Sequence, residues 1–194
     1  MSNLNELYVV IPMANDVNDD WSGPGPNFKK RCERAEEVVH SLRSLGRDVV
    51  LAQGAGKPEW AEDRMPTLGS LNAEYLKSLQ LEVPILVNDH EPEVWSSLDE
   101  VYWILREIKK HYPANVPIRL VFVTQRRHLW RMRVIAFCVV PRAYTTHFVL
   151  SGQTKEISLL HEARAYLALC LSMTGFADLV RWIRRRVSLK VDRL

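Results

Sequence analysis

Short apolar segments rich in β-branched residues alternate with longer segments of helical period, and this alternation constrains the fold of the chain more than any other feature. The pattern is typical of a parallel sheet whose strands are joined by crossover helices. The predicted strands are Leu7–Met13, Asp48–Ala52, Val83–Val87, Ile118–Val123 and Tyr144–Leu150. We therefore expect an α/β fold, a three-layer Rossmann-like sandwich of about five mostly parallel strands with helices on both faces.

Helix signals lie between these strands. Asn27 is expected to cap the first helix, and Ser97 with Glu100 three residues later is expected to form a capping box at the third. After the fourth strand we expect a turn at Thr124–His128. The segment Leu129–Val140 fits either a helix or a strand, and its length favours a helix.

No repeat, linker or low-complexity run divides the 194 residues, so we expect a single domain over residues 1–194. Its last part, Arg181–Leu194, holds six basic residues against one acid, which predicts a basic C-terminal helix at about 175–194. Two interpretations stay open for this helix. It packs on the domain with its arginines in water, which we favour, or it binds an anionic membrane or nucleic acid.

The composition argues for a cytoplasmic protein with an ordinary core. Three cysteines, Cys32, Cys138 and Cys170, form no CxxC pair, so we expect buried thiols in a reducing compartment. No apolar run approaches the roughly 18 residues of a membrane span, so no transmembrane segment is expected. The net charge of +3 is small for a nucleic-acid-binding protein, which makes nucleic acid an improbable partner.

The candidate site residues follow the predicted strands, because ligands of open parallel sheets bind outside the carboxyl ends of the strands. Asp16 follows the first strand, Gly54 and Gly56 follow the second, and Glu91 follows the third. The glycines would let a backbone approach a ligand, or they form a plain turn. Glu91 is either a general base or hydroxyl acceptor, or a solvated loop acid.

The segment VTQRRHLWRMR, residues 123–133, is the most informative. It places Thr124, His128 and Arg131 at a strand end and a helix start, where an imidazole and a guanidinium would clamp a phosphate or carboxylate. The neighbouring arginines are expected to solvate the surface. The chain has no GxSxG motif, no P-loop and no metal-binding histidine spacing, so serine hydrolysis, P-loop nucleotide hydrolysis and a metal site lose support.

These residues resemble the YdcF/SanA/ElyC-type family of bacterial proteins over roughly Lys29 to Leu171. The family motif T-S-x-x-H-x-x-R is matched at Thr124, His128 and Arg131, with Gln125 in place of the serine. The other positions that the resemblance marks as site residues are Glu91, Ser97, Asp99, Arg31, Glu162 and the Gln53–Gly56 segment with Gly54 and Gly56. The chain departs from the family at Glu100 and Val94, and carries Ala14-Asn15-Asp16 where the family is rich in glycine. The resemblance implies a Rossmann-type domain with a polar pocket at the strand ends.

Two functions stay open. In the first, the protein binds a small anionic ligand (a nucleotide, an S-adenosylmethionine-like molecule or a phosphorylated metabolite) through Arg31 and Arg131. His128 would then be the acid/base residue, and Glu91 would orient or deprotonate a hydroxyl. In the second, it is a non-catalytic binding or regulatory module that retains the pocket as a relic, and tryptophans in predicted loops, such as Trp60, would contact a protein partner. The two other tryptophans in predicted loops are Trp21 and Trp95. No cofactor is identified, and the sequence does not decide whether the protein is an enzyme.

Overall fold

The computed structural model describes residues 6–13, 23–57, 66–91, 94, 96–152 and 159–176. The strands are β1 (Leu7–Pro12), β2 (Asp48–Gln53), β3 (Ile85–Val87), β4 (Ile118–Thr124) and β5 (Thr145–Leu150). The helices are α1 (Pro26–Ser44), α2 (Leu68–Ser78), α3 (Ser97–His111), α4 (Arg126–Val139) and α5 (Leu159–Leu171), the last followed by a π-helical turn at Ser172–Phe176. The predicted α/β class is confirmed.

All five strands lie parallel in one sheet with the order β3-β2-β1-β4-β5. The central strand β1 pairs with β2 on one side, where Leu7 lies opposite Asp48, and with β4 on the other, where Leu7 lies opposite Ile118. The chain first builds the sheet outward from β1 to β3, and then returns to place β4 on the opposite side of β1. The direction of winding therefore reverses between β1 and β4, which makes their carboxyl ends the topological switch point of the sheet.

Two apolar cores cover the two faces of the sheet. Successive strand residues point to opposite faces, so Val10 packs with α1 and α2, whereas Val9 and Ile11 pack with α3 and α4. Burial on both faces explains why the strand segments are continuously apolar instead of alternating with polar residues. The result is the three-layer sandwich that the sequence predicts.

The start of α1 differs from the prediction. Its N-cap is Gly25 and its first residue is Pro26, while Asn27 is buried inside the first turn. Proline suits this position because its missing N–H would have no intrahelical partner and its φ angle is already helical. The expected Asn27 cap is therefore wrong.

The capping box of α3 lies one residue earlier than predicted. Ser96 accepts from the backbone N–H of Asp99, and the Asp99 carboxylate accepts from the backbone N–H of Ser96. Ser97 is the first helical residue, and Glu100 is buried against the sheet layer. The expected Ser97–Glu100 box is wrong because Ser96 and Asp99 satisfy the same spacing, and only Ser96 has the extended backbone of a cap.

Two further expectations are corrected. The segment Thr124–His128 is not a turn, since Thr124 ends β4, Gln125 is the N-cap, and α4 already begins at Arg126. The helix expected over Leu129–Val140 is confirmed. Of the cysteines, Cys32 is buried as predicted, but Cys138 and Cys170 are exposed. Both cysteines lie in helical segments that carry apolar residues on their exposed sides as well as on their buried sides, so an apolar context did not indicate burial.

Several predicted residues lie outside the described part of the chain. They are Asp16, Trp21, Trp60, Trp95, the basic segment Arg181–Leu194 and the side chain of Glu162, whose backbone belongs to α5. Within the described residues, no helix combines the length and the apolar character needed to cross a bilayer.

Candidate functional site

A buried polar cluster occupies the switch point between the carboxyl ends of β1 and β4. It includes Arg31 from α1, Gln125 and Thr124 from the end of β4, and His128 from α4. The relative exposure of these four side chains does not exceed 2%. A polar cluster buried this deeply requires hydrogen bonds to offset its desolvation, and the bonds described below show which elements it joins.

Arg31 lies on the inner side of α1, one turn after Phe28, and its side chain is fully buried. Its Nη1 donates to the main-chain carbonyl of Met13, which directly follows β1. Its Nη2 donates to Oε1 of Gln125 at a distance of 3.0 Å. A buried positive charge thereby connects α1 with the ends of the two strands that flank the switch point.

Gln125 is the N-cap residue of α4, but its side chain does not cap the helix. Its Oε1 accepts from Arg31, whereas its Nε2 is buried and has no hydrogen-bond partner among the described residues. A buried amide donor without an acceptor costs about 1 to 3 kcal/mol. An oxygen atom of a bound ligand would offset that cost.

His128 lies between two hydroxyl groups. Its Nδ1 is 3.0 Å from Oγ1 of Thr124, four residues earlier, and its Nε2 is 3.2 Å from Oγ of Ser97 on α3. Burial, together with the nearby charges of Arg131 and Arg31, holds the pKa of His128 well below its usual value. The imidazole is therefore neutral at physiological pH, with one nitrogen that donates and one that accepts.

Arg131 lies three residues after His128 on α4 and is partly buried. Its charge lowers the pKa of His128 more than the charge of Arg31 does. The predicted proximity of His128 and Arg131 on one helix is thus supported, and Arg31 approaches the same imidazole from α1. Two guanidinium groups therefore lie close enough to this imidazole to lower its pKa.

Backbone and side-chain bonds tie the ends of β2 and β3 together at one side of the switch point. The Asn88 side chain donates to the carbonyls of Gly54 and Glu91, each at 2.9 Å, and accepts from the Glu91 N–H at 2.9 Å. Thr67 donates from Oγ1 to the Asn88 carbonyl at 2.6 Å. These bonds hold the loops after β2 and β3 in one arrangement.

The predicted glycines fit packing roles in this region. A Cβ on Gly54 would lie 2.9 Å from the Glu100 carbonyl oxygen, so glycine allows α3 to approach β2 closely. Gly56 uses both of its main-chain groups, since its N–H donates to Val94 and its carbonyl accepts from Leu68. The role of these two residues in ligand binding stays a prediction.

The two predicted acids have partners of their own. Glu91 is partly exposed and forms an ion pair with Arg106, whose guanidinium holds the pKa of Glu91 below its usual value. Asp99 accepts two bonds from Ser96, at 3.0 Å from its N–H and 2.7 Å from its hydroxyl. No described hydrogen bond joins either acid to His128 or Arg31, so the structure does not bring them into the buried cluster by direct contact.

Three buried amides lie near the site, Gln53, Asn72 and Asn88, and sequence reasoning named only the segment that contains Gln53. Gln53 donates to the carbonyl of Pro12 and accepts from Asn72 at 3.1 Å, so it links the end of β2 to β1 and α2. A signal was also present for Asn88, which directly follows β3 as Gln53 ends β2. Asn72 lies within α2, where no local pattern marks a buried polar residue.

Within the described residues, no group of three or more histidine, cysteine, aspartate or glutamate side chains could hold a metal ion. No family model, curated protein or solved structure matches this chain. The resemblance to the YdcF/SanA/ElyC-type family, which the sequence indicates at Thr124, His128 and Arg131, stays a prediction.

Proposed function

We propose that the protein binds a small anionic ligand, such as a nucleotide, an S-adenosylmethionine-like molecule or a phosphorylated metabolite, at the carboxyl ends of β1 and β4. The observation that carries this proposal is the placement of Arg31 and Arg131 beside a buried, neutral His128 at the switch point. An anionic group would be attracted by both guanidinium charges. The buried amide of Gln125 would supply a further donor.

The helix starts at the switch point support the same ligand class. Helices α2 and α3 are capped by the side chains of Thr67 and Ser96, but α1 and α4 begin at Gly25 and Gln125 without a side-chain cap. α1 and α4 are the helices that follow β1 and β4. The N-terminus of a helix is the positive end of its dipole, so the starts of α1 and α4 favour an anion.

His128 is the acid/base residue of this proposal. Its neutral imidazole is hydrogen-bonded to Ser97 and Thr124, so it would accept a proton from the Ser97 hydroxyl or from a ligand group at that position. A bound anion would offset the charges of Arg31 and Arg131 and thereby raise the pKa of His128. Ligand binding and proton uptake at His128 would be coupled.

A non-catalytic binding module is the second candidate, and the burial of His128 favours it. The imidazole is only 2% exposed, and Glu91, the other proposed proton acceptor, is held by Arg106. In this case the same cluster binds the anion without transferring a proton. The proposals share a ligand and differ in the role of His128.

The binding site is tested with the isosteric variant Gln125→Glu, which adds a negative charge next to Arg31. Thermal unfolding is followed with inorganic phosphate, adenosine nucleotides, S-adenosylmethionine and sugar phosphates. A ligand at a hundred times its Kd adds about 2.7 kcal/mol of stability to the native protein. We expect that gain in the unmodified protein and its loss in the variant, because the new carboxylate repels the anion.

Gln80→Glu is the matched control, because Gln80 is exposed in the turn after α2 and the same charge is added there. It should keep the full ligand effect. An equal ligand effect in Gln125→Glu would contradict the proposed site. Once a ligand is known, Ser97→Ala and His128→Ala separate the two candidates: a proton-transfer role predicts a lower kcat, and a non-catalytic site predicts that no product forms from that ligand in any version of the protein.

A further inference from the structure

The side of α4 that points away from the sheet carries large apolar residues. Trp130, Val134 and Phe137 follow one another at intervals of four and three residues, so they line one side of the helix. Trp130 is 64% and Phe137 90% exposed, and Val134 is also exposed. With a rise of about 1.5 Å per residue, they form an apolar strip roughly 10 Å long.

Exposed arginines border this strip. Arg126 and Arg133 are exposed on the same side of α4, and the Arg133 guanidinium lies 5.1 Å from the centre of the Trp130 ring. Arginine can lay its aliphatic stem along apolar surface and keep its charged head at a polar boundary. We call Trp130, Val134, Phe137, Arg126 and Arg133 together the α4 outer face.

The charge of the surrounding sequence points to an anionic partner. No aspartate or glutamate occurs between Glu107 and Glu156, a stretch that contains nine lysines and arginines. The stretch includes β4, α4 and β5. The arginines of the α4 outer face therefore have no acidic neighbour within their own part of the chain, and negative charge from a partner would complement them.

We propose that the α4 outer face binds an anionic lipid surface. Aromatic and aliphatic side chains on one side of a helix, bordered by arginine, are the features with which helices lie in the interface of a bilayer. Trp130 and Phe137 would enter the boundary between headgroups and acyl chains. Arg126 and Arg133 would remain at the level of the negatively charged headgroups.

A lipid surface fits these residues better than other anionic partners. Nucleic acid would use the arginines and stack on Trp130, but it offers little to Val134 and to the 90% exposed Phe137. A second copy of the chain would bring like charges together, because α4 contains no acid. A bilayer accepts the apolar strip and its arginines together, without a shaped groove.

The test is sedimentation of the full chain with vesicles made of equal parts phosphatidylglycerol and phosphatidylcholine, and with vesicles of phosphatidylcholine alone. We expect binding to the anionic vesicles that weakens with salt. The double variant Trp130→Ser/Phe137→Ser should bind about tenfold more weakly or worse, because two large apolar side chains no longer leave water. Its thermal unfolding should match that of the unmodified protein, since both positions are exposed.

Leu45→Ser is the matched control. Leu45 is 69% exposed and follows α1, which packs on the opposite face of the sheet, so this variant should bind vesicles like the unmodified protein. A further full-length variant, Arg184→Gln/Arg185→Gln/Arg186→Gln, removes charge from the basic C-terminal segment. When Trp130→Ser/Phe137→Ser is added to this triple variant, vesicle binding should weaken by the same factor as in the unmodified protein.

Three results would overturn the proposal. The first is no binding to the anionic vesicles, and the second is equal binding by the folded double variant and the unmodified protein. The third is binding to single-stranded DNA, or formation of a dimer, that the double variant loses while vesicle binding is unchanged. Failure of the phosphate and nucleotide tests at Gln125 would leave these results unaffected. The α4 outer face is exposed, whereas the cluster at the switch point is buried on the inner side of the helix.

Discussion

Helices α1 and α4 pack on opposite faces of the sheet, and their inner sides are similar while their outer sides differ. Each inner side buries apolar residues and contributes one fully or nearly fully buried site residue, Arg31 from α1 and His128 from α4. The outer side of α1 pairs its charges, as in the ion pair Lys30–Glu33, whereas the α4 outer face presents tryptophan, phenylalanine and arginine. Packing on the sheet determines which residues occupy the inner sides, whereas contact with solvent or with a partner determines which residues occupy the outer sides. The balanced charge of α1 suits water, and the composition of α4 suits an anionic partner.

The largest expected effects come from the inner sides, where the two helices should behave alike. Phe28→Ala on α1 and Met132→Ala on α4 remove fully buried side chains. Each should lower the free energy of unfolding by about 2 to 5 kcal/mol, measured with denaturant. A loss well below 1 kcal/mol in Met132→Ala would mean that α4 is not packed on the sheet as described.

The next largest effect is a pH dependence of stability that comes from His128 on α4. The folded protein holds the pKa of His128 well below 6.5, so protons bind this residue more readily in the unfolded chain. Its contribution to stability is complete above the unfolded pKa and decreases as the pH falls below about 6.5, by up to about 1.4 kcal/mol per pH unit. The measurement is the free energy of unfolding between pH 7.5 and 5 in the unmodified protein and in His128→Gln.

The variant should show a shallower decrease than the unmodified protein over this range, because glutamine does not titrate. Parallel curves would mean that His128 is not the neutral, buried group described. Saturating phosphate should reduce the slope in the unmodified protein, since an anion next to Arg31 and Arg131 raises the pKa of His128.

The start of α3 provides a smaller effect that separates stability from site function. Ser96→Ala removes the capping oxygen and should destabilise the protein by about 1 kcal/mol. Ser97→Ala leaves the cap intact and should cost less, but it removes the hydroxyl that contacts His128. Equal losses of stability would contradict the assignment of Ser96 as the cap, and denaturant unfolding of the two variants measures the difference.

The smallest effects are expected on the outer sides. Glu37→Gln breaks the exposed ion pair with Arg34 on α1, and Phe137→Ser replaces a 90% exposed residue on α4. Both should change the free energy of unfolding by at most about 0.5 kcal/mol. The two variants should therefore differ in vesicle binding and not in stability. A loss above 1 kcal/mol in Phe137→Ser would show that this side chain packs within the domain.

The sequence predicts the sheet well and the site only in part. The strands can be predicted because burial on both faces of the sheet makes each one a continuous apolar run. Helix starts are ambiguous where two residues satisfy one pattern, as the neighbours Ser96 and Ser97 do.

The site residues Thr124, His128 and Arg131 lie within one short segment, so the sequence predicts them together. The bond between Arg31 and Gln125 joins residues 94 positions apart, so it depends on β4 lying beside β1, which no local pattern states. The exposure of Cys138 was missed because α4 is apolar around much of its circumference.

The position of β1 between β2 and β4 also has a consequence for how the chain folds. Leu7 must find Asp48 on one side and Ile118 on the other, and the second pairing spans more than a hundred residues. Contacts of such sequence separation slow folding, and during synthesis β1 emerges long before β4 is available to it. Until then, one edge of β1, the central strand of the sheet, stays unpaired at the place where Arg31 and Gln125 later meet. We therefore expect the candidate site to be among the last parts of the domain to form.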